Sequence, residues 1–136
     1  MVTPDPLGYP LFVYGTLLSG CRSSEAEKLL DGARLLGHAS LRGFLYRVAA
    51  YPGLVLAEAA APVHGELYQL ASSAQLAALD AWEEAVPLTG TTAEYLRCLV
   101  TVESTAPGSR QAWVYLYNRP VAGLPRIAAW PASALD

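Results

Sequence analysis

Apolar and polar residues alternate with a period of two in several short stretches of this chain, and a helical reading fits two others. Residues 11–14 form a compact apolar run halted by Gly15. Residues 24–30 begin on serine and end at Asp31-Gly32, the marks of a short helix. After 33–37 comes a longer strand, 41–48, with Phe44, Tyr46 and Val48 on one face and Leu41, Gly43 and Leu45 on the other. Tyr51-Pro52-Gly53 reads as a turn, because proline presets its backbone angle and glycine accepts positive φ; it reverses the chain into Leu54-Val55-Leu56. In 63–70, Val63, Gly65 and Leu67 alternate with His64, Glu66 and Tyr68, so one face is apolar and the other amphipathic. Ser72 or Ser73 then caps a helix reaching Glu83 or Glu84. Two further strands, 95–102 and 112–117, are joined by the turn residues Ala106-Pro107-Gly108-Ser109.

About six strands and two helices define an α+β domain. Short strands, local hairpins and faces that are apolar on both sides suit a small curved or closed β-barrel better than an open sheet with one wet face. Neither a repeat nor a linker divides the chain, and 136 residues make one domain with its own core at about 11–117. The tail, 119–136, holds prolines at 120, 125 and 131, which exclude regular helix or central strand. It is expected to wrap the surface, anchored by Trp130.

Composition narrows the function classes. Hydrophobic residues make up 53% and charged ones 15%, enough for a core and compatible with a homodimer. A net charge of −3 without any Lys/Arg run argues against nucleic acid as a partner. The first residues lack the basic start and apolar middle of a signal peptide, and no apolar run reaches the ~18 residues of a membrane helix. A cytoplasmic protein without a membrane association is therefore expected. Cys21 and Cys98 are too few for a disulfide framework and read as buried structural thiols. His38 and His64 stand alone and read as structural or surface residues, so neither a metal site nor a cofactor is expected.

Two segments carry candidate chemistry. At ~100° per residue, Leu76, Leu79 and Glu83 fall within roughly 60° of one another, whereas Glu84 turns a further ~100° away. A glutamate on the leucine face is desolvated, which raises its pKa toward the range of a general acid/base. The alternative is a helix that stops at Trp82 and leaves both glutamates solvated. The second segment is Tyr14-Gly15-Thr16-Leu17, where a glycine after a strand lets backbone N–H groups approach an anion or an oxyanion, or simply makes a turn. Glu66, beside Tyr68 on a strand face, reads as a solvent-facing charge rather than a second pocket acid.

The stretches Phe-Val-Tyr-Gly-Thr-Leu (12–17), Tyr51-Pro52-Gly53, Val-His-Gly-Glu-Leu-Tyr (63–68), Leu79-Asp80-Ala-Trp-Glu83, Tyr95-Leu-Arg97 and Ala112-Trp-Val-Tyr115 occur in this order. In that order and spacing the chain resembles the γ-glutamylcyclotransferase-like, or AIG2-like, family over about residues 11 to 117. The resemblance implies a small mixed β-barrel with helices beside it and a cavity at its side. It also implies a substrate loop at Tyr14, Gly15, Thr16 and Leu17, a catalytic Glu83, and Tyr115 in the same pocket. The implied reaction cyclises a γ-glutamyl group of a small-molecule substrate to 5-oxoproline and releases the attached amine, with no cofactor. One departure is Glu84, where relatives often carry glycine. A domain that binds such a ligand without turning it over, and a purely structural domain with a vestigial cavity, are the alternatives from other classes.

Overall fold

Residues 33–37 and 41–48, read from the sequence as separate pieces, belong to one 14-residue strand, Arg34–Arg47. Its pairing with the neighbouring strand runs from Arg34↔Gln69 to Arg42↔Pro62, with a register shift between Leu35 and Gly37. Gly37 takes φ 143°, open to glycine, and the bulge bends the strand without ending it. The structure, a computed structural model, describes residues 8–83, 93–104 and 109–130. Its elements are β1 (Leu11–Val13), α1 (Ser24–Leu29), β2 (Arg34–Arg47), β3 (Pro52–Leu56), β4 (Pro62–Gln69), α2 (Ser73–Trp82), β5 (Tyr95–Ser104), β6 (Ser109–Tyr117) and β7 (Arg126–Ile127). Outside the described residues lie the expected turn at Ala106-Pro107-Gly108, Glu84 with the stretch that follows it to 92, and the tail beyond Trp130.

β2 pairs with β4, β4 with β1, β1 with β6 and β6 with β5; β5 returns to β2 through Ala39↔Ser104 and Ser40↔Glu103. These five strands close a barrel, which is mixed because β1 and β6 run parallel while the other pairs are antiparallel. β3 and β7 extend it along the second half of β2, with Leu45 opposite Leu54 on one side and Ile127 on the other. The proline-rich tail thus contributes a two-residue edge pairing, and Trp130 packs against the cluster that holds Leu45.

The period-two pattern sorts side chains between two cores. Phe12, Leu41, Leu45, Leu54, Val63, Leu67, Val102 and Val114 form one cluster. Leu11, Val13, Leu30, Tyr68, Leu70, Leu76, Leu79, Tyr95 and Tyr115 form the other, which covers α1 and α2. Ser23 caps α1 through the Ala26 N–H, and Ser72 caps α2 through the Gln75 N–H. From that first turn of α2 the Gln75 side-chain amide donates to the carbonyls of Leu29 at 2.9 Å and Asp31 at 3.0 Å. It thereby satisfies acceptors that the end of α1 leaves open.

At Tyr51-Pro52-Gly53 the chain turns earlier than expected: the N–H groups of Val48 and Ala49 donate to the Tyr51 carbonyl, and Pro52 already opens β3. Gly53 is not in the positive-φ region. A Cβ there would stand 2.7 Å from Cγ of Tyr117, so close packing against β6 is what calls for glycine.

Candidate active site

The loop after β1 is held on three sides. The Leu18 N–H closes a turn onto the Gly15 carbonyl at 2.9 Å, and the Tyr14 hydroxyl donates to the Tyr115 carbonyl at 2.5 Å, tying the loop to β6. Gly15 packs against the ring of Pro52, where a Cβ would lie 2.6 Å from Cγ. Pro52 is itself fastened, since its carbonyl accepts the Tyr95 hydroxyl at 2.6 Å.

Glu66 corrects the expectation of a solvent-facing charge. It is 7% exposed and accepts from the Ser19 N–H at 2.8 Å, the Ser19 hydroxyl at 2.7 Å and the Tyr68 hydroxyl at 3.2 Å. Burial pushes its pKa up, but the two Ser19 bonds, the Tyr68 bond and the charge of Arg22 outweigh it, so Glu66 titrates below the usual range. Arg22 lies over the Tyr68 ring and donates from Nε to the Leu17 carbonyl at 2.8 Å. The amphipathic face of β4 thus anchors the loop, a contact between residues 47 apart that alternation cannot reveal.

The helix that carries Glu83 ends at Trp82, yet Glu83 keeps the helical direction. As the C-cap it has φ −81° and ψ −2°, and its N–H donates to the Leu79 carbonyl at 2.9 Å. The backbone rotation therefore runs one residue past the last helical one, and Glu83 stays on the side of the buried Leu76 and Leu79. Its partly buried carboxyl lines a cavity of about 440 Å³. Burial, and after it the charge of Glu94, push its pKa up to about 7.

Tyr14, Gly15, Thr16, Leu17, Glu83 and Tyr115 all line this one cavity. Its wall also includes Tyr51, Trp82, Glu94 and Tyr95, of which Glu94 is the functional group that sequence reasoning missed. Glu94 directly precedes the Tyr95-Leu-Arg97 motif, but no periodic signal separates it from an exposed glutamate; it is 5% exposed. The Tyr51 hydroxyl donates to it at 2.5 Å. Burial raises the pKa of Tyr14, Tyr95 and Tyr115, so these phenols remain neutral at ordinary pH. Cys21 is half-buried on the cavity wall rather than enclosed, its thiol pKa raised by burial and then by Glu66; Cys98 is half-buried as well. His38 and His64 are exposed.

Asp80 fastens the end of α2 to the barrel wall. Its Oδ1 accepts from Arg97 Nε at 2.8 Å and from the Tyr115 hydroxyl at 2.7 Å, while Arg97 lies over the Trp113 ring. Asp80→Ala is expected to cost about 1–3 kcal/mol in a urea melt, because Arg97 and Tyr115 lose their shared acceptor. Asp80→Asn, which keeps one acceptor oxygen, should lose less; equal losses would mean that the hydrogen bonds contribute little.

Among the described residues no cluster of His, Cys, Asp and Glu comes together to hold a metal ion, and no helix is long and apolar enough to cross a membrane.

The closed mixed barrel with helices packed beside it is a fold shared with solved structures. A mouse AIG2-like protein aligns with TM-score 0.67 over 90% of this chain and 87% of its own, at 23% identity. A structure named gamma-glutamyl cyclotransferase aligns with TM-score 0.63 over 87% and 69%, at 17% identity. Both likenesses concern the fold. The gamma-glutamylcyclotransferase family protein YtfP of Escherichia coli K12 is 39% identical over 118 residues, 86% of this chain and 89% of YtfP. The solution structure of Escherichia coli ytfP aligns with TM-score 0.64 over 90% and 96%. The family model described as gamma-glutamyl cyclotransferase, AIG2-like, matches residues 11–131. The chain belongs to the gamma-glutamyl cyclotransferase, AIG2-like family.

Proposed function

We propose that this protein is a cytoplasmic enzyme that cyclises the γ-glutamyl group of a small-molecule amide to 5-oxoproline and releases the attached amine. The observation that carries this reading is Glu83, a partly buried carboxyl with a pKa of about 7, on the same cavity wall as the Tyr14–Leu17 loop. In the reaction the substrate's α-nitrogen attacks its own γ-carbonyl carbon, and a C–N bond forms as the carbonyl oxygen takes the negative charge. Glu83 accepts the proton released by the attacking nitrogen and returns it to the leaving nitrogen as the original C–N bond breaks. A group with a pKa near the working pH suits both transfers, since it gives up and takes up a proton at similar cost. Thr16 and Leu17, in the loop held by Tyr14 and Gly15, would present backbone N–H groups to the α-carboxylate or the oxyanion. Tyr115, a neutral phenol held by Asp80, would shape the pocket beside Glu83.

The test is 5-oxoproline release from a panel of γ-glutamyl amides, with wild type and Glu83→Gln compared on each. Release by wild type alone is the expected result. Ligand binding without release across the panel would overturn the enzyme reading and leave a binding domain.

A further inference from the structure

The cavity holds a second carboxylate to which the two proton transfers give no task. Glu94 is 5% exposed, lines the cavity and accepts the Tyr51 hydroxyl at Oε2. Half-exposed Arg119, which does not line the cavity, forms a long ion pair with the same oxygen at 4.0 Å. All nine Lys and Arg residues of the chain lie among the described residues, and none of them lines the cavity. Arg97 is committed to Asp80 and Trp113, and Arg22 to the Leu17 carbonyl and the Tyr68 ring. Two carboxylates therefore share one largely aromatic and aliphatic wall that includes no Lys or Arg, with the long ion pair of half-exposed Arg119 reaching Glu94 from outside. Like charges brought together in a partly desolvated site repel, and a cationic ligand group relieves that repulsion.

On the cyclotransferase reading, we propose that Glu94 is a specificity-determining residue that binds an ammonium group of the substrate. A γ-glutamyl amide carries one ammonium on its α-carbon, and a diamine as the leaving group carries a second; the same carboxylate chemistry serves either. If the α-ammonium is the group bound, it sits on the wall that also bears Glu83 and releases one proton to solvent before attack; the amine that remains passes its next proton through Glu83 as described above. Glu94 then neither gains nor loses a proton, and the Tyr51 hydroxyl holds its carboxylate in place.

The experiment measures affinity in the Glu83→Gln protein, with and without Glu94→Gln, for γ-glutamyl methylamide, its N-α-acetyl derivative and γ-glutamylputrescine. Glu94→Gln is expected to weaken γ-glutamyl methylamide by ~10-fold or more and to leave the already weaker acetylated probe unchanged. A loss of that size confined to γ-glutamylputrescine would support ammonium binding and assign it to the leaving amine. Unchanged affinity for all three probes would overturn the inference. Tyr51→Phe, which keeps the charge of Glu94, should give a smaller loss on the same probes and provides the readout if Glu94→Gln does not fold. Wild-type 5-oxoproline release is followed in parallel. Turnover together with unchanged affinities refutes the role of Glu94 alone, whereas neither binding nor turnover by wild type refutes both readings.

Discussion

Glu83→Gln is expected to lower kcat/KM for 5-oxoproline release by ~10²–10⁴, the usual worth of a positioned general acid/base, while γ-glutamyl amides still bind. Glutamine matches the size of the side chain and its hydrogen-bonding outline but cannot carry a proton between the two nitrogens. The pH profile separates this role from a structural one. With a carboxyl pKa of about 7, wild-type kcat/KM should rise with pH through that value as the base form appears. The residual activity of the variant should lack that inflection. Stability is expected to move in the opposite sense. Glu83 is raised from an ordinary 4.5 to about 7, so the folded state favours the neutral form. Its contribution is fully present below about 4.5 and is lost as pH rises through about 7. Glu83→Gln removes that loss, so the variant should melt above wild type at pH 8 and level with it at pH 4. The gap at pH 8 is bounded by the order of 3 kcal/mol, and partial exposure reduces it. A variant that keeps wild-type turnover would remove Glu83 from the chemistry.

Gly15→Ala should be nearly as damaging, for a steric reason that lies across the barrel. The added methyl would stand 2.6 Å from Cγ and 2.9 Å from Cδ of Pro52. Pro52 cannot yield readily, because it is paired with Arg47 across β2 and β3 and its carbonyl receives the Tyr95 hydroxyl. The loop must move instead, and it carries Thr16 and Leu17 with it. A displacement of about 1 Å in substrate-positioning groups costs on the order of 10² in rate, and overpacking of this kind costs about 1–3 kcal/mol in stability. Gly20→Ala, where nothing lies within 4 Å of the added carbon, is the control and should leave both quantities near wild type. Steady-state kinetics and thermal melts of the pair decide the matter: wild-type kcat and KM in Gly15→Ala would take the loop out of the site.

How far the sequence reaches can be followed through particular residues. The strands were legible because side chains on a pleated strand alternate with a period that needs no knowledge of the partner. The direction of Glu83 was legible only if the helical rotation reached it; the helix stops at Trp82, and it is the αR backbone of Glu83 as C-cap that keeps it beside Leu76 and Leu79. The extent of β2 was not legible, because a bulge at Gly37 interrupts the alternation while the ladder with β4 continues.

Local chemistry alone determined the α+β class, the strand and helix faces and the serine caps, and made Glu83 on the leucine face one of two readings. The resemblance of ordered motifs added the family and its expected site. Tertiary structure alone decided that Glu66 anchors the loop through Ser19, that Gly53 makes room for Tyr117 and Gly15 for Pro52, and that Glu94 enters the cavity. Each of these depends on which elements become neighbours in the folded chain; β1 beside β4, for example, sets Glu66 against the loop that carries Ser19. The physical reason is range: dihedral preference and periodicity act over a few residues, whereas desolvation, close packing and charge coupling act between groups that only the closed barrel brings together.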